Sequence, residues 1–236
     1  MAAHPAAAGE AKRRELTAGI RASLPVLVGV APFGLITGVS AAAIGMGDGL
    51  AVAMSAIVFA GASQLAAVAL LDAAAAWPVI VITALIINLR MVMYSAALEP
   101  HFRFLARPTR MLLAYLLTDQ AFALSITSYA DRPGRRYPHW YYGSIGLTLW
   151  ATWMATTALG VLAGAQVPES WGLTFAVPLV FLALIFPAIT DRATASAAVV
   201  AGTAALVAQP LPYNLGLVVA AVAGITTGAV VESRQP

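Results

Sequence analysis

The chain has 236 residues, of which 61% are hydrophobic and 10% are charged, and its mean hydropathy is +0.85. Water-soluble domains carry about 25% charged residues, so this composition excludes one and indicates an integral membrane protein. The formal net charge of +3 reflects arginines between the hydrophobic segments, whose expected partners are lipid headgroups of the bilayer, with no nucleic acid. The sequence contains no cysteine, which excludes disulfides and thiol catalysis.

A polar, alanine-rich stretch precedes the hydrophobic part of the chain. It lacks the short apolar core and small-residue cleavage site of a signal peptide, so we expect a retained tail. Its composition predicts disorder over residues 1–15, and residues 232–236 form a second short tail. The remainder, 16–231, is expected to be one transmembrane domain, because no connection is long enough to hold a soluble one.

Apolar runs of about 20 residues, the length of a helix that crosses ~30 Å of hydrocarbon, recur along the chain. Six runs are clear and two, rich in alanine and glycine, are shorter, so we expect seven or eight spans. In chain order they are residues 24–46, 50–71, 77–98, 111–130, 140–164, 171–189, 193–208 and 213–231. Strands of a membrane barrel would alternate polar and apolar residues, and these runs do not. The predicted fold class is an all-α integral membrane protein, a polytopic helical bundle.

Proline and glycine interrupt two of the predicted spans. The first contains Pro25 and Pro32, and the sixth contains Pro178 and Pro187. Proline inside a helix removes a hydrogen bond and kinks the chain, so both spans are predicted to be broken, as in transporters built from two related halves. Close packing of small residues explains the same composition without any binding site, and both interpretations stay open.

The distribution of lysine and arginine predicts the orientation. In an eight-span arrangement with a cytoplasmic N-terminus, nine basic residues lie inside, and only Arg103, Arg107 and Arg110 lie outside. The positive-inside rule favours this arrangement. However, the connections on both sides of segment 111–130 are basic, so one of them violates the rule if that segment crosses the membrane.

Two charged residues, Arg90 and Asp119, lie well inside the predicted spans. Inserting a charged side chain at the centre of a membrane helix costs at least about 2.5–3.5 kcal/mol of free energy. At about 1.5 Å per residue, Arg90 lies ~10 Å and Asp119 ~12 Å from the same membrane surface, on consecutive antiparallel segments. We therefore expect an ion pair, either purely structural or part of a polar cavity. Asn88 is about 200° around the helix from Arg90 and must face another wall or a helix break.

An enzyme is not expected. Ser63, in the stretch Gly61-Ala62-Ser63-Gln64, resembles the serine of an intramembrane protease, but every histidine lies in the tail or in a connection. Without a base at its depth, Ser63 is not an activated nucleophile. No histidine or carboxylate cluster has metal-ligand spacing, so we expect no metal and no cofactor. Helix breaks and polar groups at one depth are typical of a carrier or channel.

Four short motifs follow one another along the first half of the chain. They are Pro32-Phe33-Gly34, then Val58-Phe59-Ala60-Gly61-Ala62-Ser63-Gln64, then Asn88-Leu89-Arg90 with Tyr94 and Leu98-Glu99-Pro100, and then Thr118-Asp119 with Phe122-Ala123-Leu124. Together, over about residues 25–124, they resemble the AzlC family of branched-chain amino acid exporters. The resemblance implies the large subunit of a two-component permease of the bacterial inner membrane, with a small AzlD-like membrane subunit as its partner.

The resemblance also implies a class of substrate and an energy source. Substrates of the family are branched-chain amino acids and related compounds such as methionine or toxic leucine analogues, and efflux is thought to use the proton gradient. The family commonly has Asp-Glu where this chain has Asp119-Gln120. Any proton-coupling role of this position therefore falls to Asp119 alone or is lost.

An amino acid that crosses the membrane needs partners for its carboxylate, its ammonium and its side chain. We expect the carboxylate to meet Arg90 or N–H groups at a helix break near Gly61, and the ammonium to meet Asp119. The predicted substrate-binding residues are Gly61, Ser63, Gln64, Asn88, Arg90, Tyr94, Asp119, Gln120, Phe59, Phe33 and Phe122, with Asp119 also coupling protons. The alternatives are a non-transporting assembly subunit and a carrier or channel for another small polar solute.

Overall fold

The computed structural model describes residues 5–132, 134–164, 189, 191–211 and 215–234. Its helices, in chain order, are α1 (Pro5–Ala43), α2 (Asp48–Ile57), α3 (Gly61–Asp72), α4 (Trp77–Phe102), α5 (Arg107–Tyr115), α6 (Asp119–Asp131), α7 (Pro138–Gly164), α8 (Arg192–Val207) and α9 (Leu215–Ser233). These residues contain no strand, which confirms the all-α fold. Apart from Ile189, the predicted span 171–189, with Pro178 and Pro187, lies outside the described residues.

In the part of the chain that the structure describes, three helices are clearly long enough to cross a membrane. Among the described residues, α1, α4 and α7 meet the requirements of length and composition, and the bent pair α5–α6 would add a fourth span if it crossed. The predicted spans 50–71 and 111–130 are each split into two short helices. The runs 193–208 and 213–231 correspond to the shorter apolar helices α8 and α9.

The contacts of the chain divide it into two compact units. The first comprises Met1–Gln64 with Ile87–Pro168, and the second comprises Leu65–Ile86 with Glu169–Pro236. This division by contacts does not test the prediction of one transmembrane domain over 16–231, which stays a prediction. All of the predicted site residues belong to the first unit. In the second unit, α8 and α9 pack closely where Gly224 meets Ala201.

Helix α1 is continuous through Pro25 and Pro32, so the predicted break in the first span is wrong. Membrane helices tolerate proline because neighbouring groups satisfy the backbone that proline frees. Helix α1 packs along α7, with Gly19 against Ser144 near the start of both helices and Gly38 against Gly160 further along, so the two run in parallel. A Cβ atom on Gly38 would lie 2.1 Å from the carbonyl oxygen of Thr157, which is why the contact needs glycine.

The N-terminal part of α1 is helical from Pro5, whereas composition predicted disorder over residues 1–15. Alanine favours helix, and the connection between α6 and α7 provides contacts. The Lys12 Nζ lies 5.6 Å from the centre of the Tyr137 ring. Glu15 Oε2 lies 3.0 Å from Arg135 Nη1, and the Arg135 side chain is only 6% exposed. These contacts order residues that hydropathy alone places outside the membrane domain.

Helices α5 and α6 are bent by 119° and return to the face from which they start. Phe104, before α5, lies 5.8 Å between ring centroids from His139, after α6. A cavity of about 380 Å³ is lined by residues of both connections, including Phe104 and Arg136. Both ends of the pair therefore lie at one face, which favours a re-entrant pair over the predicted crossing of segment 111–130.

The re-entrant pair also corrects the predicted orientation of the loops. Arg103, Arg107 and Arg110 were placed outside, opposite the basic connection after α6. Because both connections lie at one face, all of these arginines are on the same side, and the conflict with the positive-inside rule disappears.

Candidate functional site

The first feature of the candidate site is the break between α2 and α3. Helix α2 ends at Ile57 and α3 begins at Gly61, so the predicted break at this position is confirmed. A Cβ atom on Gly61 would lie 2.5 Å from Trp153 Cη2 and 2.9 Å from Phe33 Cε1. Only glycine leaves room for two aromatic rings to contact the backbone at the break.

Polar side chains at the start of α3 are buried and hydrogen-bonded to one another across helices. Gln64 and Ser63 are each 1% exposed. Gln64 Nε2 donates to Ser55 Oγ of α2 at 2.9 Å. Asn88 Nδ2 of α4 donates to Ser63 Oγ at 3.0 Å, and Ser63 Oγ donates to the Ala60 carbonyl oxygen at 2.9 Å. The break thus gathers polar groups from α2, α3 and α4.

Several buried polar atoms, at this break and on the opposite side of α4, have no hydrogen-bond partner among the described residues. Two are acceptors, Gln64 Oε1 and Asn88 Oδ1, and two are donors, Arg90 Nε and Trp153 Nε1. Leaving such a group unpaired in a folded protein costs about 1–3 kcal/mol. This unused hydrogen-bonding capacity of both kinds is available to a polar solute.

The second feature is the break between α5 and α6. Thr118 caps α6, since its Oγ1 accepts a hydrogen bond from Ala121 N at 3.2 Å. Asp119 follows in the first turn, where the partial positive charge of the helix N-terminus favours a carboxylate. Arg90 Nη2 lies 3.1 Å from Asp119 Oδ2, so the predicted ion pair is present. About a third of each side chain is exposed, and the pair is thus accessible rather than sealed.

A tyrosine at the end of α5 connects the two breaks. The Tyr115 hydroxyl donates to the carbonyl oxygen of Ala56, near the end of α2. It also accepts a hydrogen bond from Trp150 Nε1 of α7 at 2.7 Å. The ends of α2 and α5 are therefore held together, and the two breaks lie in one region of the first unit.

Aromatic rings lie beside both breaks. Trp153 contacts Phe33 edge-on, with ring centroids 5.4 Å apart, and lies 6.5 Å from Phe59. Tyr94 of α4 stacks on Phe122 of α6, with centroids 4.2 Å apart and an interplanar angle of 11°. These rings provide an apolar surface next to each polar group.

The predicted site residues form two groups on opposite sides of α4. Asn88 faces the break before α3 and Arg90 faces α6, as the angle of about 200° between them predicts. Gln120 is half-buried beside Asp119. The group at the first break contains Phe33, Phe59, Gly61, Ser63, Gln64 and Asn88, and the group at the second contains Arg90, Tyr94, Asp119, Gln120 and Phe122.

Two residues of this region were not predicted. Ser55 is fully buried and accepts the Gln64 hydrogen bond, and nothing in its apolar surroundings in the sequence marks it. Trp153 is 3% exposed and contacts Gly61. Its position offered a signal, because it lies ~22 Å along α7, whereas tryptophan in membrane proteins is enriched at the interfaces.

The site shows no arrangement for metal-dependent chemistry in the part of the chain that the structure describes. Those residues contain no group of three or more histidine, cysteine, aspartate or glutamate side chains that could hold a metal ion. The chemistry available is recognition by hydrogen bonds, one ion pair and aromatic surface.

Comparison with known proteins identifies the family. A family model described as "AzlC protein" matches residues 25–167, which extends the sequence resemblance through α7. The inner membrane protein YgaZ of Escherichia coli K12 is 26% identical over 225 residues, which cover 92% of this chain and 89% of that protein. An uncharacterized membrane protein of Archaeoglobus fulgidus is 29% identical over 211 residues, covering 87% and 90% of the two chains. An uncharacterized membrane protein of Helicobacter pylori J99 is 29% identical over 166 residues, covering 69% and 70%.

No solved structure matches the chain significantly. The family match covers more than half of the sequence and includes both helix breaks. The chain therefore belongs to the AzlC family of membrane proteins.

Proposed function

We propose that this protein is the large subunit of a secondary transporter that exports branched-chain amino acids, with methionine and leucine analogues as further substrates. Family membership supports a transporter, and one structural observation carries the choice of solute. Buried hydrogen-bond acceptors and donors lie unpaired at a helix break, beside an accessible ion pair.

The unpaired atoms are complementary to a zwitterion. Gln64 Oε1 and Asn88 Oδ1 accept hydrogen bonds and suit an ammonium, while Arg90 Nε and Trp153 Nε1 donate and suit a carboxylate. A zwitterion at the first break would satisfy Gln64 Oε1, Asn88 Oδ1 and Trp153 Nε1, whereas Arg90 Nε faces the second break. An apolar solute, or a single inorganic ion, would leave some of them unpaired.

The aromatic rings suit an aliphatic side chain. Trp153, Phe33 and Phe59 surround Gly61, next to the buried amide groups. A branched side chain in contact with these rings would exclude water from the polar groups of the break. This is the combination that pocket recognition of small molecules generally uses, a mostly apolar lining with a few polar groups.

Proton coupling is assigned to Asp119. Its carboxylate is paired with Arg90 at 3.1 Å, and both side chains are about one-third exposed. Protonation of Asp119 would remove the charge that holds Arg90, and so would free the guanidinium for a substrate carboxylate. Such an exchange links proton uptake to solute binding without any further titratable group.

We further propose a small AzlD-like membrane subunit as partner and the bacterial inner membrane as location. The E. coli relative is named an inner membrane protein. Lys12 and Glu15, near the start of α1, contact the basic connection before α7. Because the re-entrant pair places its arginines on this same face, the positive-inside rule favours a cytoplasmic N-terminus.

Efflux of labelled leucine from cells that express the chain with its small partner tests the proposal. The comparison solute is the 2-hydroxy acid with the same carbon skeleton, which has the carboxylate but no ammonium. We expect the wild type to prefer leucine, and Asn88→Leu to reduce that preference, because its acceptor is lost.

Ser55→Ala is the matched control. It removes the partner of the Gln64 amide but keeps the Gln64 and Asn88 acceptors, so stability is expected to fall while solute preference stays. Equal efflux of both solutes by the wild type would favour a carrier of another polar solute. No efflux of either, with the assembled pair intact in the membrane, would favour the assembly subunit.

A further inference from the structure

A cavity of about 770 Å³ lies between α4 and α5, apart from the predicted substrate residues. Its lining is the face of α4 from Met91 to Phe102 and the face of α5 from Arg107 to Ala114, with Leu117 just beyond α5 and Tyr142 of α7 at its base. Most of the lining is apolar, and Tyr142 is 1% exposed with its hydroxyl donating to the Leu113 carbonyl oxygen at 3.0 Å. The base of the cavity is therefore closed by Tyr142 of α7.

The charged residues of the cavity are all at one end. Arg107 and Arg110 lie three residues apart at the start of α5, which places them on one side of that helix. Glu99, near the end of α4, is the single acidic residue in the lining. Within the described part of the chain, none of the three forms an ion pair. This charged end, which we call the mouth of the cavity, thus carries two unpaired guanidinium groups and one carboxylate.

The charged end of the cavity lies at the depth expected for the membrane interface. Glu99 lies 22 residues after Trp77, or ~33 Å along α4, which is beyond the ~30 Å hydrocarbon layer. Met91 lies ~12 Å deeper than Glu99 by the same rise. The side chains of Val92 and Met111 at its edges are 65% and 64% exposed, so the cavity opens sideways toward the bilayer. An occupant can enter it from the lipid.

We infer that this cavity binds an anionic phospholipid, with its phosphate on Arg107 and Arg110 and one acyl chain along the apolar faces of α4 and α5. The net positive mouth selects the charge, since guanidinium groups bind phosphate oxygens through paired N–H donors. The acyl chain gains little from leaving the surrounding lipid, whose tails are as apolar as leucine. Retention therefore depends on the two arginines, and selectivity among lipids depends on the headgroup.

This lipid site does not rest on the proposed transport function. Its two arginines lie at the opposite end of α5 from Tyr115, which ties α5 to α2. The arginines of the site are those of the re-entrant face, where the positive-inside rule places the cytoplasmic leaflet. A lipid held there would fix the position of α5.

The test is native mass spectrometry of the full-length protein released from nanodiscs of phosphatidylglycerol and phosphatidylcholine in equal amounts. We expect phosphatidylglycerol to remain bound to the wild type. The double variant Arg107→Gln/Arg110→Gln is expected to lose it by about tenfold or more, because hydrogen bonds to charged groups each contribute roughly that factor. Arg103→Gln is the matched control, since Arg103 lies in the connection just before α5 but outside the cavity lining.

A second variant keeps the test decisive if the double variant does not fold. Ser95→Trp fills the apolar part of the cavity without changing any charge, and should also displace the lipid. Glu99→Gln should strengthen retention of phosphatidylglycerol, because it removes the one repulsive charge.

Three results would overturn the inference. The first is equal retention of phosphatidylglycerol by the wild type and by Ser95→Trp, and the second is preferential retention of phosphatidylcholine that Glu99→Gln abolishes. The third is displacement of the bound lipid by millimolar inorganic phosphate, which would indicate a site for free phosphate rather than for a lipid.

Discussion

Substitution of Gly61 by alanine tests whether the break before α3 depends on close contact with aromatic rings. The added Cβ would lie 2.5 Å from Trp153 Cη2, 2.9 Å from Phe33 Cε1 and 3.0 Å from Trp153 Cζ3. Carbon atoms in contact are normally ~3.5–4.0 Å apart, so the indole ring must move by about 1 Å. Trp153 is 3% exposed and has little free space around it.

The magnitude follows from overpacking. Inserting a methyl group into a well-packed interior typically lowers the free energy of unfolding by about 1–3 kcal/mol. For a chain of this size, a loss of that order lowers the midpoint of thermal unfolding by about 3–9 °C. The measurement is the temperature at which half of the monodisperse peak is lost on size-exclusion chromatography in detergent.

A double-mutant cycle identifies the cause. Trp153→Phe removes the part of the indole that carries Cη2 and Cζ3, so Gly61→Ala is expected to lose most of its effect in that background. Gly29→Ala is the control, because a Cβ atom there meets nothing within 4 Å and alanine favours the helix. Equal shifts for Gly61→Ala and Gly29→Ala, or an unchanged effect of Gly61→Ala in the Trp153→Phe background, would refute the reasoning.

Three further predictions concern charge and topology. Asp119→Asn should abolish proton-coupled efflux while the protein still inserts, measured as labelled leucine efflux across an imposed pH gradient; full activity would exclude the proton role. Single cysteines at positions 104 and 136 should react with a membrane-impermeant maleimide from the same side, because both positions line one cavity. The chain has no native cysteine, so the labelling is specific. Labelling from opposite sides would show that α5–α6 crosses the membrane. Glu15→Gln leaves the buried Arg135 without its carboxylate partner and should therefore lower the free energy of unfolding by about 2–3 kcal/mol. This loss is smaller than for a fully buried ion pair, because Glu15 is partly exposed. Trypsin should then cleave the start of α1 faster, and an unchanged cleavage rate would contradict the contact's role.

Several features of the molecule could be predicted from residue types alone. The fraction of apolar residues determines membrane insertion and helical structure, because backbone in hydrocarbon must satisfy its own hydrogen bonds. The depth of Arg90 and Asp119 predicted their pairing, since an isolated charge in that position is costly. The angle around α4 predicted that Asn88 faces elsewhere, and it faces the break. These are properties of single helices.

The path of the chain could not be predicted in the same way. Segment 111–130 is apolar enough to cross a membrane, yet it folds back, because Thr118 caps a new helix and Asp119 pairs with Arg90. Thr118 followed by Asp119 is an N-cap signal in the sequence, but a hydropathy average over a long window does not detect it. Pro25 and Pro32, conversely, suggested a break in a helix that is continuous.

What the sequence by itself determined is the class of protein, the family and the residue types that a site would use. Only the tertiary structure decided which of those residues meet, because the contacts of Gly61 with Trp153 and of Tyr115 with Ala56 join residues far apart in the chain. Hydropathy is a sum over neighbours in sequence and carries no information on such contacts. Packing of glycine against aromatic rings, and hydrogen bonds between helix ends, depend on how separate helices approach one another in space.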